Sequence, residues 1–184
     1  MTSFYSEEEL ASLGLKTYGK QVLISRKCSI YGAGKISLGS HVRIDDFCIL
    51  SGEIQIGDYV HISAYTSLFA GNAQIIIGSY TAISSRIAIY AESDDYSGES
   101  MVNPMVPEQC RKVESKDVII NDHVIIGSGS TVLPGAEVGE GASVGAMSLI
   151  NKNIEPWSIN VGIPCRKIKN RSRKLLEYMK YIHV

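Results

Sequence analysis

The side chains best suited to move protons in this 184-residue chain are two adjacent carboxylates, Asp94 and Asp95. An aspartate has an ordinary pKa of about 3.9 and is a weak base unless burial or a neighbouring carboxylate raises that pKa. His61 and His123 are the alternative bases, because imidazole titrates near neutral pH. Asp94, Asp95 and His123 are therefore the candidate catalytic residues, and the chemistry that suits them is general acid–base catalysis.

A six-residue hydrophobic repeat indicates how these side chains are positioned. Ile, Leu or Val stands at 38, 44, 50, 56, 62 and 68, again at 77, 83 and 89, and again at 120, 126, 132, 138, 144 and 150. A short fixed period is typical of a solenoid. Gly often follows the repeat residue, as in Ile56-Gly57, and suits a tight corner, while a small residue such as Thr66 suits a narrow interior. Six residues to a side and eighteen to a turn predict an all-β fold, a triangular prism of parallel β-helix coils.

The repeat also divides the single predicted domain into segments. We expect an N-terminal helical segment over 1–21, β-helix coils over 22–91 and 118–156, an excursion loop over 92–117, and a C-terminal tail and helix over 157–184. Ser6, followed by acidic residues, predicts a capped helix start. A C-terminal helix that caps the open end of the prism is predicted because one helical face carries Leu175, Leu176, Met179 and Ile182.

Counting the repeat assigns every residue to a side of the prism. The insertion Gly71-Asn72-Ala73 and the excursion leave from one corner, which places Asn72 and Asp94 about one coil, or ~5 Å, apart, with His123 at the start of the next coil. An irregular loop of this length in a compact domain usually has a function. One column of the prism contains His41, Tyr59, Tyr80 and His123. The candidate substrate-binding residues are Asn72, His61, Tyr90, Glu92 and Tyr96.

Composition favours a protein that acts on small molecules. The chain has 18 Lys and Arg against 19 Asp and Glu, a net charge of −1, so neither nucleic acid nor an anionic membrane is an expected partner. No apolar stretch approaches the ~18 residues of a membrane span, and the N-terminus lacks a basic segment leading into an apolar one. We expect a cytoplasmic protein. The four cysteines have no zinc-binding spacing, and plain packing is expected for Cys28 and Cys48.

Several motifs together carry a resemblance to a known family. They are Ile120-Asn121-Asp122-His123-Val124-Ile125-Ile126-Gly127, Val132-Leu133-Pro134-Gly135-Ala136-Glu137-Val138-Gly139, Val144-Gly145-Ala146 and Gly162-Ile163-Pro164-Cys165-Arg166. The chain resembles the hexapeptide-repeat acyltransferases over roughly residues 22–169, and especially the sugar and sugar-nucleotide acetyltransferases of surface-polysaccharide biosynthesis. The resemblance implies a left-handed parallel β-helix, an exception to the right-handed crossover rule, and a homotrimer with active sites between subunits.

The resemblance also implies acetyl-CoA as the acyl donor, with no metal. Members of the family lay coenzyme A along the groove between neighbouring prisms. The matching residues for the pantetheine arm are Ser128, Gly145 and Ala146. The matching basic residues for the nucleotide phosphates are Lys152, Arg166 and Lys169.

The acceptor-site residues of this chain differ from those of the sugar O-acetyltransferases that it resembles. Their general base is a His on the excursion, and gap-free alignment on Ile77-Gly78 places Asp94 there. Asn72 stands where they carry an Asp that contacts the sugar, and Ala64 replaces an acceptor-binding Asn. A sugar hydroxyl needs a base during attack, whereas the neutral form of an amine attacks unaided. The resemblance therefore favours N-acetylation of a nucleotide-linked amino-deoxyhexose.

Two alternatives remain at this point. One is O-acetylation of a sugar or another small hydroxyl compound. The other, from a different functional class, is a non-catalytic β-helix scaffold, although a scaffold has no need of the polar excursion beside Asn72.

Three other motifs lack residues that their functions require. Gly32-Ala33-Gly34-Lys35-Ile36 lacks the Ser or Thr of a phosphate-binding loop. A Ser nucleophile has no G-x-S-x-G elbow. The metal site of γ-carbonic anhydrases, which share the prism, needs three clustered histidines, and no short spacing joins His41, His61, His123 and His183.

Overall fold

The repeat brings an aliphatic side chain to the interior at every sixth position, and the chain winds around that interior in short strands. The structure is a computed structural model that describes residues 3–182. The outermost residues of the predicted 1–21 and 157–184 segments lie outside the described residues, as does His183. All fifteen repeat residues are at most 4% exposed, which confirms the predicted apolar axis.

The secondary structure consists mainly of short strands. One α-helix, α1, covers Glu7–Ser12. The strands are β1 Thr17–Tyr18, β2 Leu23–Ile24, β3 Ser29–Tyr31, β4 Ile36–Leu38, β5 Arg43–Ile44, β6 Ile49–Ile56, β7 His61–Ile62, β8 Ser67–Ile77, β9 Ala82–Ile83, β10 Ala88–Tyr90, β11 Glu92–Asp94, β12 Val113–Ser115, β13 Val118–Ile120, β14 Ile125–Ile126, β15 Thr131–Val132, β16 Glu137–Val138, β17 Ser143–Val144, β18 Leu149–Ile150, β19 Ser158–Val161 and β20 Arg166–Asn170. Short 3-10 helices cover Ala33–Lys35, Glu108–Cys110 and Lys174–Tyr181.

The strands form three parallel faces. Face 1 stacks β1, β4, the second half of β6, the second half of β8, β13 and β16. Face 2 stacks β2, β5, β7, β9, β14, β17 and β19. Face 3 stacks β3, the first half of β6, the first half of β8, β10, β15 and β18. The chain passes from face 1 to face 2 to face 3 in each coil, as the triangular prism requires.

The glycines that follow the repeat residues allow neighbouring coils to approach closely. Gly57, Gly78 and Gly127 are not among the residues of positive φ. A Cβ on Gly78 would lie 2.6 Å from the backbone N of Asp122 in the next coil. The left-handed backbone falls two residues later, at Tyr59 (φ 56°) and Tyr80 (φ 59°). These glycines lie in the corners as predicted, between the last strand of one face and the first strand of the next. They serve there in the close packing between coils and do not supply the left-handed residue of the corner.

The corner between faces 1 and 2 carries an aromatic column. Ring centroids are 4.4 Å apart for His41 and Tyr59, 5.2 Å for Tyr59 and Tyr80, and 5.0 Å for Tyr80 and His123. Near-parallel rings at this spacing stabilise one another. The predicted column is confirmed, and Trp157 extends it at 6.3 Å from His123.

The helix in the N-terminal segment is shorter than predicted. Ser6 caps α1 through a capping box with Glu9, which confirms the predicted helix start, and Leu10 is buried against the first coil. Strand β1, which begins at Thr17, already pairs with β4. The coils therefore begin before the predicted boundary at 22.

The C-terminal segment differs from the predicted tail and capping helix. Strand β19 continues face 2 beyond 156, and β20 pairs with it in antiparallel fashion. The following segment, Lys174–Tyr181, is a 3-10 helix with no buried residue. The last strand of face 2 is thus covered by β20, because an antiparallel partner satisfies its backbone groups and an exposed helix does not.

Arg171 attaches this C-terminal segment to the solenoid. Its Nη1 donates to the carbonyl oxygens of His123 (2.8 Å), Gly141 (3.0 Å) and Ala142 (3.3 Å). Desolvation lowers the pKa of its guanidinium. Arg171 is therefore partly removed from water and has exchanged solvent for three carbonyls.

Replacing Arg171 with methionine is expected to lower the free energy of unfolding by about 2–3 kcal/mol, because three carbonyls lose a charged donor. Urea unfolding at fixed protein concentration measures this change. Arg173→Met is the matched control. Arg173 is exposed and lies over Trp157 at 5.2 Å, a contact that contributes less than about 1 kcal/mol. Equal losses in the two variants would contradict the assigned role of Arg171.

Candidate functional site

The excursion between faces 3 and 1 is a β-hairpin. Strands β11 and β12 pair antiparallel, with Glu92 opposite Ser115 and Asp94 opposite Val113. Met101 and Arg111 form a further bridge, and Glu108–Cys110 forms a 3-10 turn. The prediction of an irregular loop is therefore wrong for both ends of 92–117, since the backbone there is satisfied by a partner strand.

Both ends of the hairpin are held by the insertion in β8. Glu92 Oε2 accepts from Asn72 N (2.8 Å), Asn72 Nδ2 (2.9 Å) and Ser115 Oγ (2.9 Å). Asp117 accepts from Gln74 N (3.0 Å) and Nε2 (3.1 Å). Asn72 and the excursion therefore share one corner, as predicted. The amide of Asn72 and the carboxylate of Glu92 bind each other, which makes them supports of the hairpin.

Asp94 is fixed by two donors of the same hairpin. Its Oδ1 accepts from Arg111 Nη2 at 3.1 Å, and its Oδ2 accepts from the backbone N of Asn103 at 3.2 Å. Both side chains of the ion pair are largely shielded, with 19% of Arg111 and 32% of Asp94 exposed. The pair lines a cavity of about 510 Å³, whose other walls include Phe69, Tyr90, Glu92 and Pro104.

The remaining predicted residues of the excursion have different surroundings. Asp95 accepts from Ser97 N (2.8 Å), Ser100 N (3.0 Å) and Ser100 Oγ (3.0 Å), and the hydrogen bonds from Ser97 and Ser100 hold the pKa of its carboxyl far below its ordinary value. A carboxylate so engaged forms a turn and is a poor base. Tyr90 stacks on Phe69 with centroids 5.4 Å apart, whereas Tyr96 is 95% exposed.

The two candidate histidines lie away from Asp94 within one chain. His123 stacks on Tyr80 at the corner between faces 1 and 2, and strand β13 separates that corner from the hairpin. The expectation that one chain brings His123 beside Asn72 and Asp94 is therefore wrong, because a whole face intervenes. His61 lies on face 2, with its Nε2 2.8 Å from Asp45 Oδ2.

Asp45 links His61 to Arg43, whose Nε donates to Asp45 Oδ1 at 2.7 Å. Partial burial acts to raise the pKa of the Asp45 carboxyl, but the hydrogen bonds from His61 and Arg43 outweigh it and lower that pKa. The His61 ring is thereby oriented by a carboxylate on face 2.

The predicted pantetheine residues cluster at the corner between faces 2 and 3. Ser128 Oγ lies 3.3 Å from Ser85 Oγ, and Ala146 is exposed in the next coil. Gly145 N donates to Asn160 O at 2.8 Å, and Gly145 O accepts from Ser148 Oγ at 2.8 Å, so its backbone is engaged within the solenoid. Exposed apolar side chains follow the same corner and the adjoining face, namely Phe47, Tyr65, Met147, Leu23 and Ile125.

Two of the three predicted phosphate-binding residues come together. Lys152 and Arg166 line a cavity of about 260 Å³ with Lys167, which pairs with Glu155 at 2.8 Å. Lys169 is exposed on β20 opposite Ile159 and does not line this cavity. Within residues 3–182, no group of three or more His, Cys, Asp or Glu side chains is placed to hold a metal ion.

Sequence reasoning missed Phe69 and Arg111. Phe69 follows repeat residue 68 as Tyr90 follows repeat residue 89, so the register alone could have paired the two rings. Arg111 had only a weak signal, a cation in the same excursion as two aspartates. Nothing in the repeat indicates which aspartate it pairs with.

Comparison with known proteins decides the family. The family model of the bacterial transferase hexapeptide, six repeats, matches residues 117–152. A dTDP-4-amino-4,6-dideoxy-D-glucose acyltransferase of Escherichia coli is 46% identical over 178 residues, which are 95% of this chain and 92% of that protein. The chain belongs to the hexapeptide-repeat acyltransferases. The predicted left-handed β-helix is confirmed with it.

Further comparisons agree that the chain is an acyltransferase of this family. AntD, an N-acyltransferase from Bacillus cereus, superposes with a TM-score of 0.96 at 49% identity, covering 98% of this chain and 97% of AntD. That structure is an S84C variant in complex with dTDP-4-amino-4,6-dideoxyglucose and coenzyme A. WbbJ of Escherichia coli K12, provisionally assigned to O-acetyl transfer in lipopolysaccharide biosynthesis, is 31% identical over 84% of this chain and 83% of its own length.

In the acyltransferase, no helix among residues 3–182 is long and apolar enough to cross a membrane.

Proposed function

We propose that this acyltransferase moves an acyl group from acyl-CoA to the amino group of a nucleotide-linked amino-deoxyhexose, of the dTDP-4-amino-4,6-dideoxyglucose kind. The observation that carries the proposal is Asp94, which stands in the position of the expected base and lines a cavity with the stacked rings of Phe69 and Tyr90. No histidine is among the residues that line this cavity in the described chain. An amine acceptor tolerates an aspartate in the position of the base, whereas a hydroxyl acceptor favours a histidine there.

The relatives support the same acceptor. The Escherichia coli relative is an acyltransferase for dTDP-4-amino-4,6-dideoxy-D-glucose, and AntD has been crystallised with that sugar nucleotide. AntD has also been studied as D94A and S84A variants. This chain carries Ser84 and Asp94, the same residue types at the same separation. Ser84 follows β9 on face 2, and we assign it with Asp94 to the acceptor site.

The proposed reaction requires little acid–base chemistry from the protein. Asp94 accepts a hydrogen bond from the acceptor N–H and so directs the nitrogen lone pair at the thioester carbon. That lone pair forms the C–N bond while the C=O π electrons move onto oxygen. Collapse of the tetrahedral intermediate re-forms the carbonyl and expels the CoA thiolate, which takes the proton that leaves nitrogen. The products are the N-acyl sugar and CoA thiol.

The donor contacts are assigned by position. Ser128 and Ala146 offer exposed groups for the pantetheine arm at the corner between faces 2 and 3, with Gly145 next to Ala146. Lys152 and Arg166 would meet the nucleotide phosphates, with Lys169 on the adjacent strand. Acetyl is the expected acyl group. AntD has been crystallised with 3-hydroxybutyryl-CoA, so a longer acyl group is the alternative.

The site is proposed to lie between subunits of a homotrimer. The acceptor half, with Asp94, leaves from the corner between faces 3 and 1, while Ser84, Ser128 and Ala146 lie at the corner between faces 2 and 3. Face 3 separates the two halves within a chain, so a neighbouring chain supplies the missing half. Phe47 and Tyr65, which are 46% and 54% exposed, provide an apolar surface for that contact.

We propose a place in surface-polysaccharide or lipopolysaccharide biosynthesis, which the acceptor class and the likeness to WbbJ support. Acyl-CoA and nucleotide sugars are both cytoplasmic metabolites, and we therefore assign the enzyme to the cytoplasm.

The acceptor is tested with two sugar nucleotides that differ only in NH₂ or OH at carbon 4. Thiol release with acetyl-CoA and the mass of the product report transfer. We expect kcat/KM to be at least about a hundredfold higher for the amine, because an aspartate is a weak general base for a hydroxyl. Comparable rates for both acceptors would favour O-acyl transfer, and no transfer to either would favour the scaffold alternative.

Co-expression of two variants tests the shared site. Asp94→Asn and Ser84→Ala chains are each expected to be impaired alone. In random mixed trimers about a quarter of the sites receive an intact residue from each neighbour, so about a quarter of the wild-type activity should return. If both residues came from one chain, mixing would restore nothing.

A further inference from the structure

We propose that Arg111 is a positioning residue that keeps the acceptor amine in its reactive, neutral form. This inference rests on the proposed N-acyl transfer. A lone carboxylate would attract the protonated ammonium form of the acceptor, which has no lone pair and cannot attack. Arg111 Nη2, 3.1 Å from Asp94 Oδ1, offsets that negative charge. Asp94 then accepts a hydrogen bond from a neutral amine.

The placement of Arg111 is unfavourable for the hairpin by itself. Its Nε is buried without a hydrogen-bond partner among residues 3–182. A buried donor left unpaired is costly and rare in native proteins, and such groups are found where function requires them. A fork-like pairing with both carboxylate oxygens would satisfy Nε, yet Asp94 Oδ2 binds the backbone of Asn103 instead. The carboxylate of Asp94 is thus oriented by two donors, while Arg111 Nε has no hydrogen-bond partner among residues 3–182.

Other charged groups near the cavity cannot replace Arg111. Glu92 lines the same cavity and is held by Asn72 and Ser115, and Tyr90 forms the aromatic wall. Asp94 also lines a second cavity of about 430 Å³, together with Asp95, Tyr96, Lys112 and Glu114. Among all these charges, Arg111 is the cation that contacts Asp94. Without it, the acidic groups dominate and favour the ammonium form.

The test is the pH dependence of kcat at saturating acceptor and acetyl-CoA. In the wild type, we expect the midpoint of the acidic limb to lie below the pKa of the free acceptor amine. Arg111→Gln should move that midpoint up by about one pH unit or more, because the cation is gone. Arg111→Lys keeps the charge and should stay near the wild type. Lys112→Gln, an exposed neighbour on the same hairpin, is the matched control and should not shift the midpoint.

Two results would overturn the role of Arg111 while leaving N-acyl transfer intact. One is a wild-type midpoint at or above the pKa of the free amine, a measurement that needs no variant to fold. The other is an unshifted Arg111→Gln profile, or one that Arg111→Lys shares, since loss of hairpin structure lowers kcat without moving its pH midpoint. Absence of any transfer by the wild type would instead refute the proposed function.

Discussion

Asp94→Asn is expected to lower kcat/KM for the nucleotide amino sugar by about 10- to 150-fold. Asparagine keeps the shape of the side chain but not the charge that holds Arg111, and its NH₂ group can point at the acceptor nitrogen. Loss of a hydrogen bond to a charged group typically costs about 1.5–3 kcal/mol, which corresponds to a fold-change of this size. The hairpin should survive, because Glu92 and Asp117 attach its ends to β8 independently of Asp94.

Steady-state kinetics with varied acceptor and saturating acetyl-CoA measure this loss, and thermal melting checks the fold. Asp95→Asn is the informative comparison, since that neighbouring carboxylate is occupied by Ser97 and Ser100. Its kcat/KM should fall much less than that of Asp94→Asn. An Asp94 variant with wild-type kcat/KM, or an equal loss in the two variants, would remove Asp94 from the mechanism.

Gly127→Ala is expected to destabilise the solenoid by about 3 kcal/mol or more. The added Cβ would lie 2.8 Å from both Ala146 Cα and Gly145 C, and closer still to Ala146 N. All three atoms are backbone, so no side chain can rotate away and the coils must separate. Because Ala146 belongs to the assigned donor corner, the KM for acetyl-CoA should also rise.

Gly34→Ala is the matched control for this prediction. Gly34 lies in the 3-10 turn Ala33–Lys35, its φ is not in the left-handed range, and its nearest atom is 3.9 Å from an added Cβ. The alanine variant should be neutral or more stable by up to about 1 kcal/mol, because the unfolded chain loses freedom. Urea unfolding of both variants at one protein concentration gives the comparison. Similar stabilities for the two alanine variants would contradict the prediction, because the coils would then accommodate the added Cβ at Gly127.

The parts of the fold that repeat were predictable from the chain alone. Burial of one aliphatic residue in every six identifies the prism, and the same count places Tyr59 over Tyr80 in one column. It also places Asn72 at the corner from which the excursion leaves. These predictions succeed because each coil imposes the same local requirement on the same position, so the pattern is visible in every turn.

The parts of the site that do not repeat required the tertiary structure. The count could not show that Asn72 binds Glu92, that Asp95 only shapes a turn, or that His123 faces a different corner from Asp94. It could not find the ion pair of Asp94 with Arg111, whose partners lie seventeen residues apart in a segment without periodicity.

The sequence by itself determined the prism, its register and the corner where chemistry would be placed, since hydrophobic burial at a fixed period specifies which side chains face the interior. Only the tertiary structure decided which polar groups of the hairpin pair with each other and which face the cavity. The physical reason is that hydrogen bonds and ion pairs are directional and depend on ångström distances. Sequence spacing specifies such distances within the regular coils, but not within the excursion.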